Sequence, residues 1–159
     1  MKILNIKGFE VLLDDEDFER ISSIKWNPLH THGKTYFSHT YNKSKFREKR
    51  IHILLHREVF GEIPKGMVVD HINGNPFDCT RSNMRLCTVS QNTMNGKRHR
   101  DNSTGFKGVV RAPGGRFMVQ IGIDMKMINL GTFDTAEEAY SAYLTKGREI
   151  HAEFFNPGA

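Results

Sequence analysis

Asp70, His71, Asn83 and Asn92 are the residues whose types and spacing could do chemistry together. An imidazole preceded by a carboxylate and followed 12 and 21 positions later by side-chain amides suits metal-assisted hydrolysis. A phosphodiester is a poor electrophile with a poor leaving group. Its cleavage needs an activated water, and positive charge where negative charge accumulates on the phosphoryl and leaving oxygens. An imidazole with an ordinary pKa of about 6.5 can take a proton from water near neutrality, which is the role expected of His71 as general base. Asp70 offers a hard oxygen ligand and Asn92 a neutral one. An oxygen set without thiolates favours Mg²⁺ or Mn²⁺. Asn83 is expected to tie down the loop between two strands so that His71 is aimed. The other histidines (His30, His32, His39, His52 and His56) have irregular spacing and suit ordinary surface or core positions.

These residues need elements to carry them. Met67-Val68-Val69 forms a short buried strand running into Asp70-His71, and Asn83 to Thr88 forms a second one. A loop rich in turn formers, Asn73-Gly74-Asn75-Pro76, separates the two. Ser90 can cap a helix over about 91–96 that carries Asn92. Upstream, Ile3 to Ile6 and Phe9 to Leu13 alternate around Gly8 as a hairpin, and acidic residues 14–17 open a short helix over about 15–22. Residues 26–29, 34–41 and 50–53 are strand-like, and 53–60 suit a helix ended by Gly61.

Beyond residue 96 the pattern changes. Residues 97–105 are polar and basic without apolar periodicity, as in a linker. Three strand-like stretches follow, 106–111, 117–123 and 126–133. In the middle one Phe117, Val119, Ile121 and Ile123 share a face. Thr135 and Glu138 form a capping-box pair ahead of a helical stripe of Ala136, Ala139, Tyr140, Tyr143 and Leu144. A three-stranded sheet covered on one face by a helix results, and its opposite face has no visible partner.

Composition narrows the function classes. At 159 residues, 38% hydrophobic and 26% charged, the chain is a folded protein of one or two small domains. No apolar run approaches the roughly 20 residues of a membrane span. The N-terminus lacks the features of a signal peptide. Two cysteines are too few for a disulfide framework or a four-thiolate zinc site, and a reducing, cytoplasmic setting inside a bacterial host is expected. Net charge is +5, concentrated as +6 over residues 26–57 and +5 over 97–126 around a nearly neutral centre. Such stretches suit a polyanion, since Lys and Arg displace condensed counterions from phosphates. Lys43, Lys45, Arg47, Lys49, Arg50, Lys97, Arg98 and Arg100 are the candidate DNA-contacting residues there.

The run His56-Arg57, Met67 to Asn75, Asp78, Asn83 to Thr88 and Ser90-Gln91-Asn92 resembles the HNH homing endonucleases of phages and mobile introns. The resemblance covers about residues 50–95 in order, spacing and intervening residue types. It implies a strand–strand–helix fold around one divalent metal, with His71 as general base, Asp70 and Asn92 as metal ligands and Asn83 as the central structural asparagine. Asn92 stands where many relatives have His, and enzymes similar in this respect include nicking enzymes. Cys79-Thr80-Arg81 departs from a more regular Asn-Arg-Leu run.

The C-terminal segment resembles the DNA-binding domain of plant ethylene-response factors through Gly105 to Val109, Arg116-Phe117, Leu130 to Ala139 and Tyr143. That resemblance implies a sheet laid into the DNA major groove, which would use the uncovered face. Lys107 and Gln120 match contact positions in type, and Arg111, Arg116, Lys126 and Asn129 lie nearby. Val110 and Ala112 replace arginines, and Asn129 replaces a tryptophan.

The expectation is therefore an α+β protein. Residues 1–96 form an HNH nuclease domain, comprising a β-rich part (1–50) and a catalytic core (51–96). A basic linker over 97–105 leads to a DNA-binding domain over 106–155. The expected function is site-selective hydrolysis of double-stranded DNA by a homing-type enzyme using Mg²⁺ or Mn²⁺, with no small-molecule cofactor and no membrane partner. A lapsed HNH protein acting as a regulator and a non-specific nuclease are the alternatives. Whether the chain is a monomer or a homodimer is not written in the sequence.

Overall fold

The computed structural model describes residues 1–31, 33–42, 50–98, 101–123 and 126–158. The chain divides into two compact units, Met1–Leu86 and Cys87–Ala159. Among the described residues it is a mixed α/β protein with several small sheets and four α-helices.

The first unit opens with a hairpin, β1 (Lys2–Ile6) and β2 (Phe9–Leu13), paired from Lys2↔Leu13 to Ile6↔Phe9. Lys7 and Gly8 both have positive φ (50° and 90°), as a two-residue turn matching the strand twist requires. Helix α1 (Asp15–Ser22) follows with three acidic residues in its first turn, where free N–H groups favour negative charge. A three-stranded antiparallel sheet comes next: β3 (Asn27–Thr31), β4 (Lys34–Asn42) and β5 (Arg50–Leu54). Helix α2 (Leu55–Phe60) starts later than the sequence pattern suggests, because Ile53 and Leu54 pair with His39 and Ser38 as part of β5. Side chains from the hairpin, α1, β4 and α2, among them Val11, Leu13, Ile21, Phe37 and Leu55, join Trp26 in one apolar core.

Strands β6 (Met67–His71) and β7 (Met84–Thr88) make a separate two-stranded sheet. They bracket the 72–83 loop, which ends in a single 3-10 turn, Arg81–Asn83. Val69, Cys79 and Met84 enter the first core from this part, so the loop is bolted to the hydrophobic body. Helix α3 (Val89–Asn95) follows β7 directly. Its cap is Thr88, not Ser90. The Thr88 hydroxyl accepts from the Gln91 amide at 3.2 Å and the Gln91 side chain accepts from the Thr88 amide at 2.8 Å, so two otherwise orphaned donors are satisfied reciprocally.

In the second unit β8 (Val109–Arg111), β9 (Phe117–Ile123) and β10 (Lys126–Phe133) form an antiparallel sheet in the order β10-β9-β8. Residues 106–108, read as strand from sequence, lie outside β8. Helix α4 (Ala136–His151) begins with the expected Thr135–Glu138 capping box and covers one face of the sheet, where Val109, Val119, Ile121, Ala139 and Tyr143 are buried together. The opposite face is partly roofed, which corrects the expectation of an unpartnered surface. A Cβ added at Gly122 would lie 3.2 Å from the Met94 methyl of α3. A cavity of about 720 Å³ nearby is lined by Thr93 and Met94 together with Val110, Gln120 and Met127.

Gly108 is fixed by this packing. Its φ is +76°, and a Cβ there would lie 2.2 Å from the Tyr143 ring. Gly108→Ala combines a left-handed backbone with an overlap onto a buried aromatic, and it should destabilise the protein by about 2 kcal/mol. Chemical denaturation measures this, and a loss under about 0.5 kcal/mol would show that the ring moves aside freely. Among the described residues no helix is long and apolar enough to cross a membrane.

Candidate active site

Asp70 and His71 are the last two residues of β6, and both are buried. Just past them the backbone turns sharply, with the Ile72 amide donating to the Asn83 carbonyl (2.8 Å) and the Gly74 amide to the His71 carbonyl (2.8 Å). Asn83 uses its side chain in both directions. Its Oδ1 accepts from the Asn73 amide at 3.0 Å, while its Nδ2 donates to Asn73 Oδ1 at 3.0 Å and to the Asp78 carbonyl at 2.8 Å. The loop is thus stitched to the strand end by an asparagine that is itself buried.

Two further anchors were not legible in the sequence. The Leu12 amide donates to the Phe77 carbonyl (2.8 Å) and the Cys79 amide to the Leu12 carbonyl (3.0 Å), so the edge of β2 holds the far side of the loop. The Asp17 side chain of α1 is 3% exposed and receives Arg81 Nε (2.7 Å), Arg81 Nη2 (2.9 Å) and Arg20 Nη2 (2.7 Å). Burial alone would raise the Asp17 pKa. The hydrogen bonds from Arg81 and Arg20 outweigh it and hold the carboxyl below its ordinary value. The acidic run that opens α1 therefore also supplies a partner for the arginine two positions before Asn83.

The His71 ring lies against His56 of α2, centroids 5.0 Å apart and edge to face, and its Nε2 is 3.7 Å from Cys79 Sγ. Burial lowers the pKa of His71 to about 4, opposed by the Asp70 charge. It lowers that of His56 to about 3, with His71 and Arg57 adding to the effect. Both imidazoles are therefore neutral near pH 7. Burial pushes the Cys79 thiol up to about 12, so it stays protonated. The Tyr36 ring of β4 lies 5.8 Å from His56, tilted by 55°, and its pKa is raised by burial and then by the Asp70 charge. Asp70 itself meets Arg85 of β7. His56 and Arg85 both sit inside the motif run, but their distance from Asp70-His71 along the chain hides the contact.

The two buried histidines make stability depend on pH. In the unfolded chain each takes up a proton around pH 6.5, whereas in the fold neither does until about pH 4 or 3. Their contribution is therefore fully present above pH 6.5 and is lost as the pH falls towards the folded values. Between pH 7 and pH 4.5 the pair should remove on the order of 5 kcal/mol of stability, about half from each ring. Thermal midpoints across that range test this against His56→Gln, which should flatten the curve. An unchanged slope would exclude His56 from the effect.

The donor chemistry of the site suits a hard divalent cation. Asp70 is a buried carboxylate at the end of β6, and burial keeps the Cys79 thiol protonated near neutral pH, so the donors beside His71 are of the hard, oxygen kind; Asn92 lies exposed on α3. Among the described residues no group of three or more His, Cys, Asp or Glu side chains gathers as a metal cluster.

The residues expected to contact DNA are placed unevenly. Lys43, Lys45, Arg47, Lys49 and Arg100 lie outside the described residues, and Arg50 is described only as the first residue of β5. Lys97, Arg98, Arg111, Arg116, Lys126 and Asn129 are exposed, and Gln120 is half-buried. Arg111 lies over the Phe117 ring (5.5 Å), and Arg116 pairs with Asp134 (2.8 Å). Asn129 bonds within its own strand, its Oδ1 accepting from the Gly131 amide (2.9 Å). Lys107 is turned inwards. Its Nζ donates to the carbonyls of Met94 (2.8 Å), Gly96 (2.6 Å) and Asn156 (2.8 Å), and burial lowers its pKa to about 8. An ammonium has three protons, so in this arrangement Lys107 has none left for a phosphate.

Residues 49–94 match the HNH endonuclease family. The chain is 31% identical over 113 residues to protein 3.8 of Escherichia phage T7, covering 70% of this chain and 93% of that protein. It is 29% identical over 159 residues to an uncharacterized HNH endonuclease of Acanthamoeba polyphaga mimivirus, covering 95% of this chain and 75% of that protein. No solved structure matches the chain.

Proposed function

The chain belongs to the HNH endonuclease family, and on that premise we propose that it hydrolyses double-stranded DNA at selected sites as a metal-dependent, homing-type enzyme of a phage or mobile element. The observation that carries this reading is the Asp70-His71 pair at the end of β6, with the following loop tied back through Asn83. The same pinned loop would be wasted on a purely structural turn.

In this reading Asp70 and Asn92 would hold one Mg²⁺ or Mn²⁺ ion, which when bound would supply Lewis-acid stabilisation of the phosphate and leaving oxygen. His71 takes the proton of the attacking water. Its burial keeps the ring in the proton-accepting form at neutral pH, and the adjacent carboxylate favours the charge the ring then acquires. Asn83 orients the loop without touching the reacting atoms. Residues 1–96, as strand–strand–helix core with its β-rich N-terminal part, perform the cleavage. The 97–105 linker and a DNA-binding domain over 106–155, with its resemblance to ethylene-response factors, read the site. Exposed Lys97, Arg98, Arg111, Lys126 and Asn129 supply contacts there, since phosphate contacts give register and base edges give selectivity. A cytoplasmic setting in the host is part of the same proposal.

Supercoiled plasmid and a genomic library provide the test. Cleavage or nicking should appear with Mg²⁺ or Mn²⁺ and vanish with EDTA, and end sequencing should return recurrent sites. Binding without any cut in either cation would make the chain a regulator with a lapsed site. Breakdown of unrelated DNA to small fragments would make it a non-specific nuclease.

A further inference from the structure

The Asp70 carboxylate already has a cation beside it. Arg85, on the neighbouring strand of the β6–β7 sheet, donates to Asp70 Oδ2 from Nε at 3.2 Å and from Nη2 at 3.1 Å. The two side chains are only 7% and 13% exposed. A carboxylate buried to this degree is strongly disfavoured without compensation, and a guanidinium on one oxygen both offsets its charge and fixes where that oxygen lies. The same group acts against a second cation. Any ion bound to this carboxylate sits within a few ångströms of a fixed guanidinium, where charge repulsion is strong in a site sheltered from water.

Resting on the metal-nuclease reading above, we propose that Arg85 is a positioning residue for Asp70 that also sets the metal affinity low in the absence of DNA. The carboxylate is held and aimed by its resident counter-charge. A divalent ion is retained only once a DNA phosphate adds the negative charge that offsets the guanidinium and supplies further oxygen ligands. The enzyme loads its metal together with its substrate, and the free protein does not carry a charged hydrolytic centre.

Mn²⁺ binding to the full-length chain, followed by electron paramagnetic resonance, tests this without relying on turnover. Arg85→Met should bind Mn²⁺ at least about 10-fold more tightly than wild type, Arg85→Lys should stay near wild type, and Asp70→Asn should lose the site. Wild type should bind Mn²⁺ at least about 10-fold more tightly with a mixed-sequence phosphorothioate duplex than without it, and this arm needs no variant to fold. Equal or weaker binding by Arg85→Met, or no effect of the duplex in a wild type that cuts DNA, overturns the proposal alone. A wild type that neither binds Mn²⁺ with the duplex nor cuts plasmid overturns the metal-nuclease reading, and the Arg85 proposal with it.

Discussion

Replacing His71 by alanine should lower the rate of DNA strand cleavage by about 10³-fold or more, because the loss of a positioned general base costs about 10²–10⁴ and no second described histidine can take its place. His56 is the nearest imidazole, but it lies on α2 away from the strand end that carries Asp70-His71, and its pKa of about 3 is lower still than the value of about 4 for His71. The variant should keep its DNA affinity in EDTA within about twofold, which separates lost chemistry from lost binding. It also removes a buried histidine that is neutral in the fold, so its stability should fall less steeply than wild type on acidification. Gel assays under single-turnover conditions read the rate. Residual cleavage within tenfold of wild type would remove His71 from the reaction.

Arg81→Ala should be the most damaging change to the fold itself. Asp17 would lose two of its three guanidinium hydrogen bonds while remaining buried beneath α1 and the loop. Arg81 is itself about half-exposed and Arg20 stays bonded, so the cost is that of hydrogen bonds lost by a buried carboxylate, and a loss of about 2.5 kcal/mol is expected. Arg81→Lys should recover less than half of it, since an ammonium cannot reproduce the fork. Arg81 leads directly into Asn83, so the same variant should slow cleavage more than its folded fraction explains. Urea denaturation alongside cleavage at saturating Mg²⁺ resolves the two effects. A stability loss under 1 kcal/mol would mean that Arg20 alone suffices for Asp17.

Local patterns of this chain were open to inspection and long-range ones were not. The hairpin, the 15–22 helix, β9 and the Thr135 cap could be read because periodicity, turn chemistry and capping act over a few residues. Asn83 could be assigned to loop tethering because a polar residue beside a turn-rich segment has few other uses. Asp17 could not be recognised as a buried partner of Arg81, 64 positions away. In a run of four acidic residues at a helix start, nothing marks which one faces inwards. Lys107 failed for a related reason. A lysine in a basic stretch reads as solvated, and only the folded chain brings three carbonyls around its ammonium. Ser90 lost the cap to Thr88 because β7 runs straight into α3 with no intervening loop.

The grip of β2 on the 72–83 loop bears on how small such an enzyme can be made. The family match begins at residue 49, whereas the backbone partner of Phe77 and Cys79 is Leu12. A minimal fragment cut to the matched boundaries would leave that amide and carbonyl pair without a mate and expose the apolar side chains packed behind them. Shortening or grafting this nuclease therefore calls for a replacement strand at that edge, and the cooperative folding block extends well upstream of the segment that carries the recognisable signature.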